Sequence, residues 1–98
     1  MIKLVEIFKD RNLGAGNNFT VREVYINPAH VVCLYEDPSM ILNLREGYLP
    51  KDLDQRQTFT KLHLNQGQSV RQMTVVGSIS LVSEKLGLAS NKQQLLHD

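Results

Sequence analysis

Apolar and polar residues alternate in short runs along most of the chain, and the period lengthens only near the C-terminal end. MIKLVEIF (1–8) is rich in β-formers and predicts a first strand. KDRNLGAGNN (9–18), with two glycines and three asparagines, predicts a flexible turn or loop. FTVREVYIN (19–27) predicts a second strand, with Arg22, Val24 and Ile26 on one side and Val21, Glu23 and Tyr25 on the other. Asn27-Pro28 then breaks the apolar stretch. Proline donates no ladder hydrogen bond, and an asparagine side chain can bond backbone two residues on, so NPAH (27–30) predicts a connection.

VVCLYE (31–36) predicts the third strand, and its unbroken apolar run predicts burial on both faces. Asp37-Pro38-Ser39 reads as another turn, and MILNLR (40–45) as a fourth strand. EGYLPKDLDQRQ (46–57) is polar, carries Gly47 and Pro50, and reads as an inserted loop.

TFTKLHLN (58–65) and QSVRQMTVV (68–76) predict a hairpin. A two-residue loop at Gln66-Gly67 would set Leu62 opposite Arg71. A three-residue loop, Asn65-Gln66-Gly67, sets Leu62 opposite Val70 and Phe59 opposite Met73, which matches apolar with apolar and is the preferred reading. That register also sets Lys61 opposite Arg71. In GSISLVSEKLG (77–87), Ile79, Val82 and Leu86 recur at helical spacing, with Ser78 as N-cap and Gly87 as C′ residue. Residues 88–98 read as a frayed or helical tail. The expected fold is α+β but mainly β: one domain over 1–98, a small antiparallel sheet or half-open barrel of about five strands, with one short C-terminal helix.

The order of parts (MIKL, then VYINPAHVVCLYED, then TKLHLNQGQSVRQMTVV, then SISLVSEKLG) resembles the small flagellar and swarming motility proteins of the FlbD/SwrD type. The same layout recurs in small bacterial and phage accessory proteins. The resemblance implies a small strand meander capped by a helix and a regulatory rather than catalytic role. It carries no site residues onto this chain.

Composition narrows the classes of function. Eleven basic and ten acidic residues give a net charge of +1, too balanced for a partner chosen by bulk charge such as DNA or an anionic membrane. The single cysteine, Cys33, excludes an intrachain disulfide and a thiolate metal cluster. Met1 leads directly into an alternating segment and no apolar run reaches membrane-spanning length, so the expectation is a chain without a leader, cytoplasmic and without membrane insertion.

Candidate chemistry is sparse. Cys33 lies between Val32 and Leu34 and reads as a small core hydrophobe. His30, His63 and His97 lack metal-ligand spacing, so neither a metal nor another cofactor is expected. GAG (14–16) lacks the flanking pattern of a phosphate loop. A local basic face could be built from Arg45, Arg56, Lys61 and Arg71, with Tyr48 and Phe59 able to stack on a base. Lys61 beside Arg71 would cost roughly 0.2–1 kcal/mol unless an anion lay between them.

The strands carry more apolar side chains than one short helix can cover. Tyr25, Leu34, Tyr35, Met40 and Leu42 are therefore the expected interface residues. The function these observations favour is a non-enzymatic regulatory or adaptor protein that acts through protein–protein contacts, with a second copy of itself among its partners. The alternative is a protein that binds or sequesters a nucleotide or nucleic acid on the basic face.

Overall fold

The computed structural model describes residues 1–10 and 19–88. The expectations for the tip of the 9–18 loop and for the tail after residue 88 lie outside the described residues. Five strands and two short helices run in the order β1 (Ile2–Lys9), β2 (Phe19–Ile26), a 3-10 turn (Pro28–His30), β3 (Val31–Glu36), α1 (Pro38–Arg45), β4 (Phe59–Gln66), β5 (Ser69–Val76) and α2 (Ile79–Lys85). The strands form one antiparallel sheet in the order β2-β1-β5-β4-β3.

The two edge strands, β2 and β3, are consecutive in the chain and joined only by residues 27–30. Four gaps of about 4.8 Å would hold the edges of a flat five-stranded sheet about 19 Å apart. Five extended residue steps from Ile26 to Val31 reach at most about 18 Å, and this link is partly wound into a 3-10 turn. The sheet must therefore coil, although no ladder pair joins β2 to β3 among the described residues. The turn forms as its sequence demands: Asn27 Oδ1 accepts from the Ala29 N–H at 3.0 Å, and His30 N–H bonds Asn27 O at 2.9 Å.

Each face of the sheet carries its own core. On the inner face, Leu4, Ile26, Leu62, Leu64, Met73 and Val75 pack with Val82 and Leu86 of α2. On the outer face, Ile7 and Phe59 pack with Met40 and Leu44 of α1 and with Leu49. Glu6 is buried directly opposite Arg22, whose guanidinium meets it at 2.9 Å and lies 4.2 Å from the centre of the Phe8 ring.

Three expectations need correction. Residues 38–45 form a helix, not a strand. Asp37 is its N-cap, Pro38 fills its first turn, and Met40 and Leu44 share a buried face four residues apart. Its end is a Schellman motif: Gly47, at φ 83°, donates to Leu44 O, and Tyr48 donates to Asn43 O. The fold therefore has a second helix before the C-terminal one. The C-terminal helix itself has the expected caps, with Ser78 accepting from Leu81 N–H and Gly87 in the left-handed region.

The hairpin register also differs. Its loop is Gly67-Gln68, so Leu62 faces Met73, Phe59 faces Val76, and Lys61 faces Thr74 rather than Arg71. Gly67 has φ 72° at the first loop position, where a type II′ turn requires glycine. This register turns Met73 and Val75 inward together with Leu62 and Leu64. The three-residue shift from the expected pairing exchanges which face of β5 is buried, and Val70 is left 72% exposed.

Cys33 is exposed, not a core residue. β3 is an edge strand with an irregular register between Val31 and Cys33. That bulge lets both Val31 and Leu34 lie against the inner core, opposite Leu64 and Leu62. Val32, Cys33 and Tyr35 are left at the surface, so the apolar run is not buried on both sides.

Candidate functional site

Asp37 sits where β3, α1 and β5 meet. Its Oδ1 accepts from Ser39 Oγ at 2.6 Å and from the Met40 N–H at 3.3 Å, and its Oδ2 accepts from Thr74 Oγ1 at 2.7 Å. Burial alone would raise this carboxyl. The hydrogen bonds from Ser39 and Thr74, the positive charge of Lys61 and the Met40 N–H outweigh burial and hold it below the ordinary carboxylate value. Every oxygen is engaged in ordering α1 on the sheet, so Asp37 reads as a structural acid.

Beyond α1 the outer face is open. Strand alternation places Cys33 and Tyr35 of β3, Lys61 and His63 of β4, and Val70 and Gln72 of β5 on this one side. Tyr35 and His63 share a hydrogen bond between the hydroxyl and Nε2 at 2.9 Å, with ring centres 5.3 Å apart. Tyr35 is 46% exposed, and Val32 at the strand edge 63%. Together Val32, Cys33, Tyr35, His63 and Val70 make a patch of mixed apolar and aromatic character. It contains no carboxylate, arginine or lysine, and Lys61 borders it on the α1 side.

The register sets His63 directly opposite Cys33, a proximity that spacing in the sequence does not disclose. A thiol–imidazole pair for nucleophilic chemistry would need a ring nitrogen bonded to the sulfur. No hydrogen bond joins the two among the described residues, and His63 Nε2 is engaged with Tyr35 instead. No three His, Cys, Asp or Glu side chains converge as a metal site among the described residues.

The expected basic residues are dispersed over different elements. Arg45 ends α1 and Tyr48 follows it in the 46–57 segment, where the Tyr48 carbonyl accepts from Phe19 N–H. Arg56 is exposed and 3.5 Å from Asp54. Lys61 and Arg71 lie on opposite faces, so the expected like-charge pair does not form. Phe59 is 1% exposed beneath α1 and cannot stack on a base. Of the expected interface residues, Tyr25, Tyr35 and Leu42 are exposed, Leu34 is half-buried against the inner core, and Met40 is buried on the face of α1 that meets the outer core.

No family model, curated protein or solved structure matches the chain significantly. No helix among the described residues is long and apolar enough to cross a membrane.

Proposed function

We propose that this chain is a non-enzymatic binding module that self-associates through the outer patch of β3, β4 and β5 and acts as a small regulatory or adaptor protein. The observation that supports this reading is the patch itself. Val32, Tyr35 and Val70 are exposed around a Tyr35–His63 pair on a face that neither helix covers. An isologous contact must be self-complementary, a condition that a patch without permanent charges meets with no need for matched ion pairs. Val32, Cys33, Tyr35, His63 and Val70 carry no permanent charge, and Lys61, opposite Tyr35, borders them. Burying a tyrosine and two valines at its centre supplies the aromatic and aliphatic anchors on which interfaces depend.

The test is an amide-shift titration with protein concentration. Backbone resonances of Val32–Tyr35, His63 and Val70 should move together as concentration rises. Tyr35→Lys and Val70→Lys should abolish the movement while leaving the circular dichroism spectrum intact. Concentration-independent spectra, or movement confined to another surface, would remove the reading.

A further inference from the structure

β1 and β5 share only two residue pairs, Glu6–Val75 and Ile7–Thr74, although β1 continues to Lys9 and β5 starts at Ser69. Continuing that register would pair Phe8 with Met73 and Lys9 with Gln72. The strands part there instead and leave a cleft of about 270 Å³. Ile7, Phe19 and Met40 give it an apolar side that continues the outer core. Lys9, Lys61, Gln72 and Thr74 give it a polar side.

Neither lysine has an ion-pair partner among the described residues. The acids nearby are otherwise engaged. Glu6, which also lines the cleft, is bonded to Arg22, and both Asp37 oxygens accept hydrogen bonds from Ser39, Met40 and Thr74. Lys61 feels the Asp37 charge without an ion pair at contact distance. Two ammonium groups thus line one concave space, with an amide beside them and an apolar wall behind.

We infer that the cleft binds a small organic anion. Its phosphate or carboxylate head lies between Lys9 and Lys61, within reach of Gln72, and its apolar stem lies on Ile7, Phe19 and Met40. An anion placed there screens the repulsion between the lysines and gains charge-assisted hydrogen bonds. The apolar wall favours an ester or aryl acid over the bare inorganic ion. The site adjoins the outer patch, since Lys61 and Gln72 pair with Tyr35 and His63, but it needs no second copy of the chain.

The experiment is a heteronuclear NMR titration with phenyl phosphate, repeated with benzoate, inorganic phosphate and phenol. Saturable shifts are expected at Ile7–Lys9, Lys61 and Gln72–Thr74 with phenyl phosphate and benzoate. Inorganic phosphate should bind more weakly at the same amides, and phenol weakest. Lys9→Gln and Lys61→Gln should each weaken binding about tenfold, while Arg71→Gln on the opposite face leaves it unchanged. Absence of saturable shifts up to about 10 mM ligand, where even millimolar affinity would show, overturns the inference. So does binding that is indifferent to both lysine substitutions, or inorganic phosphate binding as tightly as phenyl phosphate.

Discussion

Asp37 ties three elements together through one carboxylate. Truncation in Asp37→Ala removes a helix N-cap, worth about 1 kcal/mol, and leaves the buried Thr74 hydroxyl without its acceptor, worth about 1–3 kcal/mol. The variant should lose about 2–4 kcal/mol in urea denaturation. Because the folded-state pKa of Asp37 is depressed, its stabilisation is present above the unfolded carboxyl value of about 3.9. It is lost as pH falls through the lower folded value. The stability gap between wild type and Asp37→Asn should therefore narrow as pH drops below about 4. A gap that is constant with pH would show that the charge contributes nothing. Gly77, between β5 and α2, has φ 127°, and an added Cβ would lie 3.3 Å from Val82 Cγ2. Gly77→Ala should cost about 1–3 kcal/mol, lowering the melting temperature by several degrees in a scanning measurement. At this scale the sequence was legible where a residue acts on its own neighbours. Asn27 closes its turn and Ser78 caps its helix from local chemistry alone. The exposure of Cys33 was not legible, because it depends on β3 being an edge strand with a bulge.

Among the elements, α1 and α2 are built alike. Each has a capping side chain, Asp37 or Ser78, and a left-handed glycine, Gly47 or Gly87, closing a Schellman motif. The signals that revealed α2 were therefore present for α1. They were masked because MILNLR is apolar enough to read as a strand, and because Asp-Pro-Ser also reads as a turn. The 46–57 segment was legible as an insertion but not as part of the core. Leu49 is buried in the outer core and Leu53 packs against it, which requires knowing that α1 lies beside it. The hairpin was legible in its strands and not in its register, since both pairings match apolar residues. The choice turned on which face of β5 meets α2. A double-mutant cycle measures this directly. Leu62→Ala with Met73→Ala should show a coupling of at least about 0.5 kcal/mol, whereas Leu62→Ala with Val70→Ala should be additive within about 0.3–0.5 kcal/mol. The reverse ranking would restore the three-residue loop.

For the molecule as a whole, the short β2–β3 link and the two-sided burial of the sheet are connected. Coiling brings Ile26 of one edge strand into a core with Leu62 and Leu64 of β4. α2 covers that core, and α1 covers only part of the opposite face. The rest of that face holds both the neutral patch and, where β1 leaves β5, the cleft between the lysines. Of the residues expected to form an excess of apolar strand surface, Tyr25 and Tyr35 are exposed on strands, Leu42 is exposed on α1, and Leu34 and Met40 pack into the cores. The site's composition was not legible in the sequence, because His63, Cys33 and Val70 meet only through the observed register. The most direct measurement of the central claim is sedimentation equilibrium of the wild-type protein and of Tyr35→Lys over a wide concentration range. The wild type should approach twice the 11.1 kDa chain mass at high concentration, and Tyr35→Lys should remain at the chain mass. A wild type that stays monomeric throughout, or a Tyr35→Lys variant that associates equally well, would contradict it.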